Sequence, residues 1–336
     1  MCGFFFISSF QKLYLRKQIM PKISIIIPCY FNEGNIPITS KELIENEKNF
    51  DADIVFEYVM VDDGSKDNTY AELLKFKQQF PEKVTLVKLA GNVGSFNAVL
   101  AGMHHATGDC NIILAADLQD PPELMPKMVD YWRKGIKFVV ANRVNREEGL
   151  FQKFFSNSYH RLIKKYALKN VPPGGYDLVL FDKQLREDVV KINERNTNQV
   201  YLLSWLDYDY VNIPYTRRKR EVGTSRWTLK KKIKLFIDSF ISFSFAPIRM
   251  ISVVGLLLGL IAFIYGVFIL ISRIMGNIKV EGWTAMMVTF LFVAAFQMMA
   301  LGIIGEYVWR ALDAARGRPN FIVDEVRKAE IVETKI

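Results

Sequence analysis

Cysteine and histidine are both scarce in this 336-residue chain, with three of each: Cys2, Cys29 and Cys110, and His104, His105 and His160. Three cysteines cannot build a disulfide framework, nor three histidines a repeated zinc site, so a reducing, cytosol-facing catalytic part is expected. Glycine-rich phosphate cradles are also missing. No Gly-x-Gly-x-x-Gly follows the first strand and no Gly-x-x-x-x-Gly-Lys-Ser/Thr occurs anywhere, which removes the usual marks of dinucleotide redox and P-loop chemistry. His-Glu-x-x-His and Gly-x-Ser-x-Gly are absent too, which weakens hydrolase readings. Half of the residues are hydrophobic and 24% are charged, a composition that excludes a disordered chain. Acids are the minority charge, 35 against 44 Lys and Arg, for a net +9. That excess is local: residues 216–234 hold nine Lys and Arg and a single acid, Glu221.

Charge itself is absent from residues 250–272 and 282–305. Each stretch exceeds the roughly 20 apolar residues that cross a hydrocarbon core about 30 Å thick. Two such runs in succession, joined by residues 273–281, read as a transmembrane hairpin rather than as buried helices of a soluble core. Basic residues crowd ahead of the first span up to Arg249, and Arg310, Arg316 and Arg318 follow the second, while the connector offers only Arg273 and Lys279. Positive-inside bias therefore puts both flanks, and with them both termini, in the cytoplasm. Between the basic run and the first span, residues 229–246 combine Lys230, Lys231, Lys232 and Lys234 with Phe236, Phe240, Phe243 and Phe245. That pattern suits an amphipathic helix lying in the bilayer interface. Gln297, deep in the second span, is either a bond across the hairpin, a bond to another copy in a homo-oligomer, or a tolerated amide. Residues 306–336 are expected to form a cytoplasmic tail. Met20-Pro21-Lys22 leads straight into a strand, which makes Met20 an alternative start, and residues 1–20 are read as a tail of their own.

Ahead of the membrane, short apolar runs at 23–28, 58–62, 84–89, 110–115 and 138–141 alternate with helical stretches at 40–49, 69–79, 95–106 and 123–134. Strands apolar throughout and separated by helices imply an α/β fold with a mostly parallel sheet covered on both faces. Ligands of such sheets bind at the carboxyl ends of the strands. Polar residues collect in those loops: Pro28-Cys29-Tyr30-Phe31-Asn32-Glu33, Asp62-Asp63-Gly64-Ser65 with Asp67 and Thr69, and Asp117-Leu118-Gln119-Asp120-Pro121-Pro122. Each loop alone is ordinary turn chemistry. Three acidic loops at one sheet edge repel one another unless a cation or donor groups lie between them. Carboxylate and amide oxygens without His or Cys are hard donors, suited to Mg2+ or Mn2+ bridging phosphates.

Together with Gly91-Asn92-Val93-Gly94, Val61 through Thr69 and Ala116 through Glu123, these loops occur in the order seen in family 2 glycosyltransferases. The chain most resembles the polyprenyl-phosphate branch, which is similar to dolichol-phosphate mannose synthase, and the likeness runs from about residue 23 to 323, hairpin included. It implies a GT-A fold over residues 21–228 that binds a nucleotide-sugar with a divalent cation. Pro28, Tyr30 and Glu33 would hold base and ribose, Asp62 and Asp63 the nucleoside, with Asn92 beside them. Asp117 and Gln119 match the family's metal-binding Asp-x-Gln, with Asp117 also counted as catalytic. Two departures stand out. Tyr30-Phe31-Asn32-Glu33 is one residue longer than the commoner Tyr-Asn-Glu, and Ala115 stands where many members carry a further Asp.

The reaction implied is an inverting transfer of sugar from the nucleotide-sugar to polyprenyl (undecaprenyl) phosphate. A phosphate monoester is largely dianionic near neutrality, its second pKa being about 6, and needs no strong base to attack. Arg143, Arg217, Arg218, Arg220, Ser225 and Arg226 are the expected phosphate binders. Gly223-Thr224-Ser225-Arg226-Trp227 resembles the family's acceptor loop, and Asp177 in Gly174-Gly175-Tyr176-Asp177 matches a segment near the sugar. A processive polysaccharide synthase would carry Gln-x-x-Arg-Trp, whereas Gly223 stands in the glutamine's place. A non-enzymatic membrane adaptor draws support from Ala115 alone. A basic run set against a membrane span argues against nucleic acid.

Overall fold

The computed structural model describes residues 20–143, 161, 163–165, 168, 171–172, 176, 178–192, 194, 197–218, 238, 240–275 and 282–330. Its centre is β1 (Lys22–Cys29), where Ile23, Ile25, Ile26 and Ile27 are all buried. Consecutive β-branched residues suit a strand covered on both faces. β2 (Val55–Asp62), β3 (Val84–Leu89) and β4 (Cys110–Ile113) join it in parallel, β2 and β3 to one side and β4 to the other. The whole sheet has eight strands in the order β7-β5-β6-β4-β1-β2-β3-β8. β6 (Leu178–Asp182) runs antiparallel between β4 and β5 (Phe138–Arg143), and β7 (Tyr210–Tyr215) pairs in parallel with β5.

Helices cover both faces. One apolar cluster joins Ile25, Ile27 and Met60 to α1 (Ile36–Asn46), α2 (Thr69–Gln79) and α4 (Met125–Arg133). The other joins Ile26, Val59 and Val61 to α3 (Ser95–His105), α5 (Lys183–Val190) and α6 (Gln199–Trp205). The crossovers β1-α1-β2 and β2-α2-β3 thus lie on one face and β3-α3-β4 on the other. Strand order reverses at β1, which opens a crevice beyond the carboxyl ends of β1 and β4. Close seating of α3 on β1 requires Gly102, since a Cβ there would stand 2.4 Å from Ile26 Cγ2.

α7 (Ala246–Ile274) and α8 (Trp283–Arg316) have 29 and 34 residues, long and apolar enough to cross a membrane. Their large side chains point outward; Leu256 is 75% and Phe263 71% exposed. A water-soluble surface does not carry an apolar area of that extent, whereas lipid solvates it. Gln297 is exposed on α8. α8 continues eleven residues past the uncharged run and stops at Gly317, whose left-handed φ of 58° caps it.

Of the stretch expected to be a tail, residues 306–316 belong to α8 and residues 323–327 form a strand. β8 (Val323–Arg327) turns back and pairs antiparallel with β3, closing that edge of the sheet. Ala90 N donates to Ile322 O at 2.9 Å, and Tyr70 donates to Glu325. Five residues rich in charge carry too little apolar pattern to announce a strand, yet charge is what suits an edge. The other end of the hairpin is fastened too. Phe240 and Phe243 pack against Ile163, Leu168, Val171 and Tyr201. Arg310 on α8 bonds Asp238 at 2.6 Å, Glu306 at 3.1 Å and Ser242 at 3.2 Å.

Candidate functional site

β1 and β2 end in register, Cys29 opposite Asp62, so their loops leave the sheet side by side. Short bonds stitch them together. Phe31 N donates to Ser65 Oγ (3.1 Å), Asn32 N to Thr69 Oγ1 (2.7 Å), and Asn68 N, at the start of α2, to Glu33 Oε2 (2.9 Å). Phe31 takes a left-handed φ of 54°. This turn accommodates the extra residue of Tyr30-Phe31-Asn32-Glu33, and Tyr30 N closes it onto Asn32 Oδ1 at 2.7 Å.

Asp62 and Asp63 are adjacent, both buried, and differently used. Asp63 accepts from Val93 N (2.7 Å), Gly94 N (3.1 Å) and Asn92 Nδ2 (2.8 Å), so it staples the loop after β3. Gly64, at φ 65°, lets these loops touch: a Cβ there would lie 2.6 Å from the Gly91 carbonyl carbon. Asp62 accepts Ser65 N on Oδ1 at 3.2 Å, and its Oδ2 is buried without a partner among the described residues. Burial raises the Asp62 pKa above the ordinary carboxylate value, against the lowering pull of the Ser65 bonds. A buried acceptor without a donor is costly unless a ligand completes it.

Across the crevice, the loop after β4 makes a tight turn with Leu118 at φ 49°. Such a conformation in a bulky residue costs about 1–3 kcal/mol and persists only where neighbours hold it. Leu118 is sunk into the core, leaving Asp117 and Gln119 on either side of it half-buried. Gln119 N points back to Asp117 Oδ1 at 3.4 Å. Thr39 Oγ1 of α1 fixes Ala116 O at 2.8 Å. Asp120, fully buried, accepts from Tyr215 Oη and lies 3.3 Å from Arg217 Nε. Burial, then Asp120, raises the Tyr215 pKa. Arg218 N donates to Gln119 O at 2.9 Å, while its guanidinium bonds Glu42 at 2.7 Å and also Glu123.

The structure therefore gathers Pro28, Tyr30, Glu33, Asp62, Asp63, Asn92, Asp117 and Gln119 at the carboxyl-end loops of one sheet edge. Arg143 ends β5 opposite Tyr215, whose pKa it pulls down. Arg217 and Arg218 reach the acidic turn as ion-pair partners of Asp120, Glu42 and Glu123. Asp177, Arg220, Ser225 and Arg226 lie outside the described residues. Sequence reasoning missed Glu42, Asp120, Glu123 and Tyr215 as the supports of the turn; the only hint was Asp120 and Glu123 closing the acidic motif.

Among the described residues no three His, Cys, Asp or Glu side chains converge into a metal cage. Asp117 and Gln119 supply oxygen donors only, which fits a hard cation that takes the rest of its shell from phosphates.

A family model described as Glycosyl transferase family 2 matches residues 24–191. A prophage bactoprenol glucosyl transferase homolog of Escherichia coli is 31% identical over 310 residues, covering 91% of this chain and 100% of that protein. An undecaprenyl-phosphate 4-deoxy-4-formamido-L-arabinose transferase of Photorhabdus laumondii is 30% identical over 308 residues, covering 91% of this chain and 94% of its own. Among solved structures, glucosyl-3-phosphoglycerate synthase of Mycobacterium tuberculosis, in complex with Mn2+, UDP and glucosyl-3-phosphoglycerate, is 17% identical. It covers 60% of this chain and 73% of that one, at a TM-score of 0.40.

Proposed function

The chain belongs to glycosyltransferase family 2, and from that premise we propose that it moves a sugar from a nucleotide-sugar to polyprenyl phosphate at the membrane surface. The observation that carries this reading is the fusion of a donor-type crevice to a hairpin fastened to the sheet domain at both ends, by Phe240 and Phe243 ahead of α7 and by β8 after α8. A water-soluble donor and a lipid-borne acceptor can meet on such a chain. The relatives named for bactoprenol and undecaprenyl phosphate match over the hairpin as well as the head.

In the proposed reaction a phosphate oxygen of the acceptor attacks the anomeric carbon. The bond from that carbon to the donor diphosphate breaks, inverting the centre, and nucleoside diphosphate leaves. Pro28, Tyr30 and Glu33 line the donor's base and ribose side. The unpartnered Oδ2 of Asp62 is the acceptor offered to the nucleoside, and Asp63 with Asn92 holds the loop that borders it. Asp117 and Gln119 would hold Mg2+ or Mn2+, which supplies charge neutralisation for the departing diphosphate. Arg143, with Arg220, Ser225 and Arg226 further along, receives the acceptor phosphate, where a planar guanidinium offers geometry as well as charge. Asp177 orients a sugar hydroxyl or the acceptor. Both flanks of the hairpin, and the head with them, face the cytoplasm.

The test is a donor screen with full-length protein in undecaprenyl-phosphate vesicles, using radiolabelled UDP- and GDP-sugars. Label is expected to enter the organic phase with at least one donor and to stop on chelation of divalent cations. Transfer that survives Asp117→Ala, or no labelled lipid from any donor, overturns the reading. Wild-type turnover in Asp177→Asn removes that residue from the site.

A further inference from the structure

We infer that Arg218 is a positioning residue that sets where Asp117 and Gln119 stand, rather than a phosphate ligand. The inference rests on the proposed metal reading of that turn. Arg218 grips the turn twice. Its backbone N–H donates to Gln119 O at 2.9 Å, and Gln119 Nε2 donates back to Arg218 O at 3.5 Å. Its guanidinium then spans Glu42 on α1, at 2.7 Å, and Glu123 just past the turn. One residue thus ties the strap leaving β7 to the turn, to the helix beside it and to the segment that follows it.

Two physical reasons make this grip matter to the site. Leu118 adopts its left-handed conformation only while its surroundings impose it, and the strap's backbone bonds fall on the very next residue. Charge is the second reason. Without Arg218, Glu42 and Glu123 would be left as two uncompensated carboxylates around the turn that carries Asp117 and Gln119. Glu42 Oε2 is buried without a hydrogen-bond partner among the described residues, so loss of the guanidinium leaves a half-buried carboxylate with less compensation. A fork of five donors can serve two carboxylates at once, which a lysine ammonium cannot match in geometry. A guanidinium so engaged has its directional donors turned toward acids, not toward a phosphate.

The experiment titrates Mn2+ into full-length protein in detergent, with UDP or GDP present, and follows free Mn2+ by electron paramagnetic resonance. Arg218→Ala is expected to weaken Mn2+ binding about tenfold, the scale on which supports behind metal ligands act. A Glu42→Gln/Glu123→Gln double variant, which keeps side-chain volume, is expected to give the same loss with Arg218 in place, and it stands in should Arg218→Ala fail to fold. Arg218→Lys recovers little. In transfer assays the Mn2+ concentration for half-maximal rate moves by the same factor, while KM for polyprenyl phosphate stays within about twofold. A raised acceptor KM with unchanged Mn2+ binding makes Arg218 a phosphate ligand and overturns the inference. If Asp117→Ala loses Mn2+ while Arg218→Ala and the double variant bind it as wild type does, the inference alone falls. If Asp117→Ala binds Mn2+ as wild type does, the metal reading falls and takes the inference with it.

Discussion

The two walls of the crevice are built from different bonds. The wall formed by the loops after β1, β2 and β3 is closed by hydroxyls and backbone amides drawn from residues 30–94, neighbours in sequence as well as in space. The wall formed by the turn after β4 is held by Tyr215, Arg217 and Arg218, which arrive from β7. The first is complete once three parallel strands have paired. The second is complete only after β7 has docked beside β5, so its geometry depends also on the far side of the sheet. On the proposed reading, a site assembled this way has a preformed nucleoside side and a diphosphate side that depends on β7.

Removing a group from each wall separates the two. Asp117→Ala is expected to lower sugar transfer about a thousandfold, on the scale of lost charge stabilisation at a leaving group, with thermal stability near wild type. Labelled lipid per minute and a melting curve check it; a large loss of stability instead would make Asp117 a structural member of its wall. Asp63→Ala is expected to do the opposite, costing about 3 kcal/mol of stability because three donors lose a charged acceptor. Urea unfolding measures that loss, and the donor KM should rise with it. Tyr215→Phe should cost about 1–2 kcal/mol by leaving the buried Asp120 short of a donor. Its mark would be a raised metal requirement with donor KM unchanged, which tests whether the second wall alone depends on β7.

Asp62→Asn is expected to change stability less than Asp63→Ala or Tyr215→Phe does, and with the opposite sign. Burial raises the folded pKa of Asp62 above its unfolded value, so ionisation at neutral pH works against folding. The asparagine removes that penalty and is expected to stabilise the protein by at most about 1 kcal/mol at pH 7. The gain should fade as pH falls through the raised pKa, where the wild-type carboxyl is protonated as well. Urea midpoints at pH 7 and pH 4 read this, while nucleotide affinity should fall with the variant at both. A stability loss at pH 7 would mean that the charge of Asp62 is compensated in the folded protein.

Most of the first wall was legible. The runs at 23–28, 58–62 and 84–89 are apolar enough to be fixed as buried strands, and all three appear as β1, β2 and β3. The expected helix at 40–49 begins earlier, at Ile36, because Pro37 near its first turn starts a helix that the apolar pattern alone does not mark. The two spans were plain from their lack of charge. The sequence does not announce β6, β7 and β8: Leu178–Asp182 follows the sequence Pro172-Pro173-Gly174-Gly175, Pro214 interrupts Tyr210–Tyr215, and Val323–Arg327 carries three charged residues in five. The same blindness reached the site. Asp62 and Asp63 read alike as donor ligands because sequence does not show that Asp63 accepts from three groups of the loop after β3 while Asp62 keeps a buried oxygen without a partner among the described residues. Arg217 and Arg218 read as phosphate binders because their acidic partners lie far back along the chain, at Glu42, Asp120 and Glu123.

The pairing of β8 with β3 also dictates an order of biogenesis. The strand that seals the sheet is made after both spans, so the edge of β3 stays open while the ribosome delivers the hairpin to the bilayer. Docking of β8, not completion of the four parallel strands, is the moment at which the newborn chain loses its sticky flank.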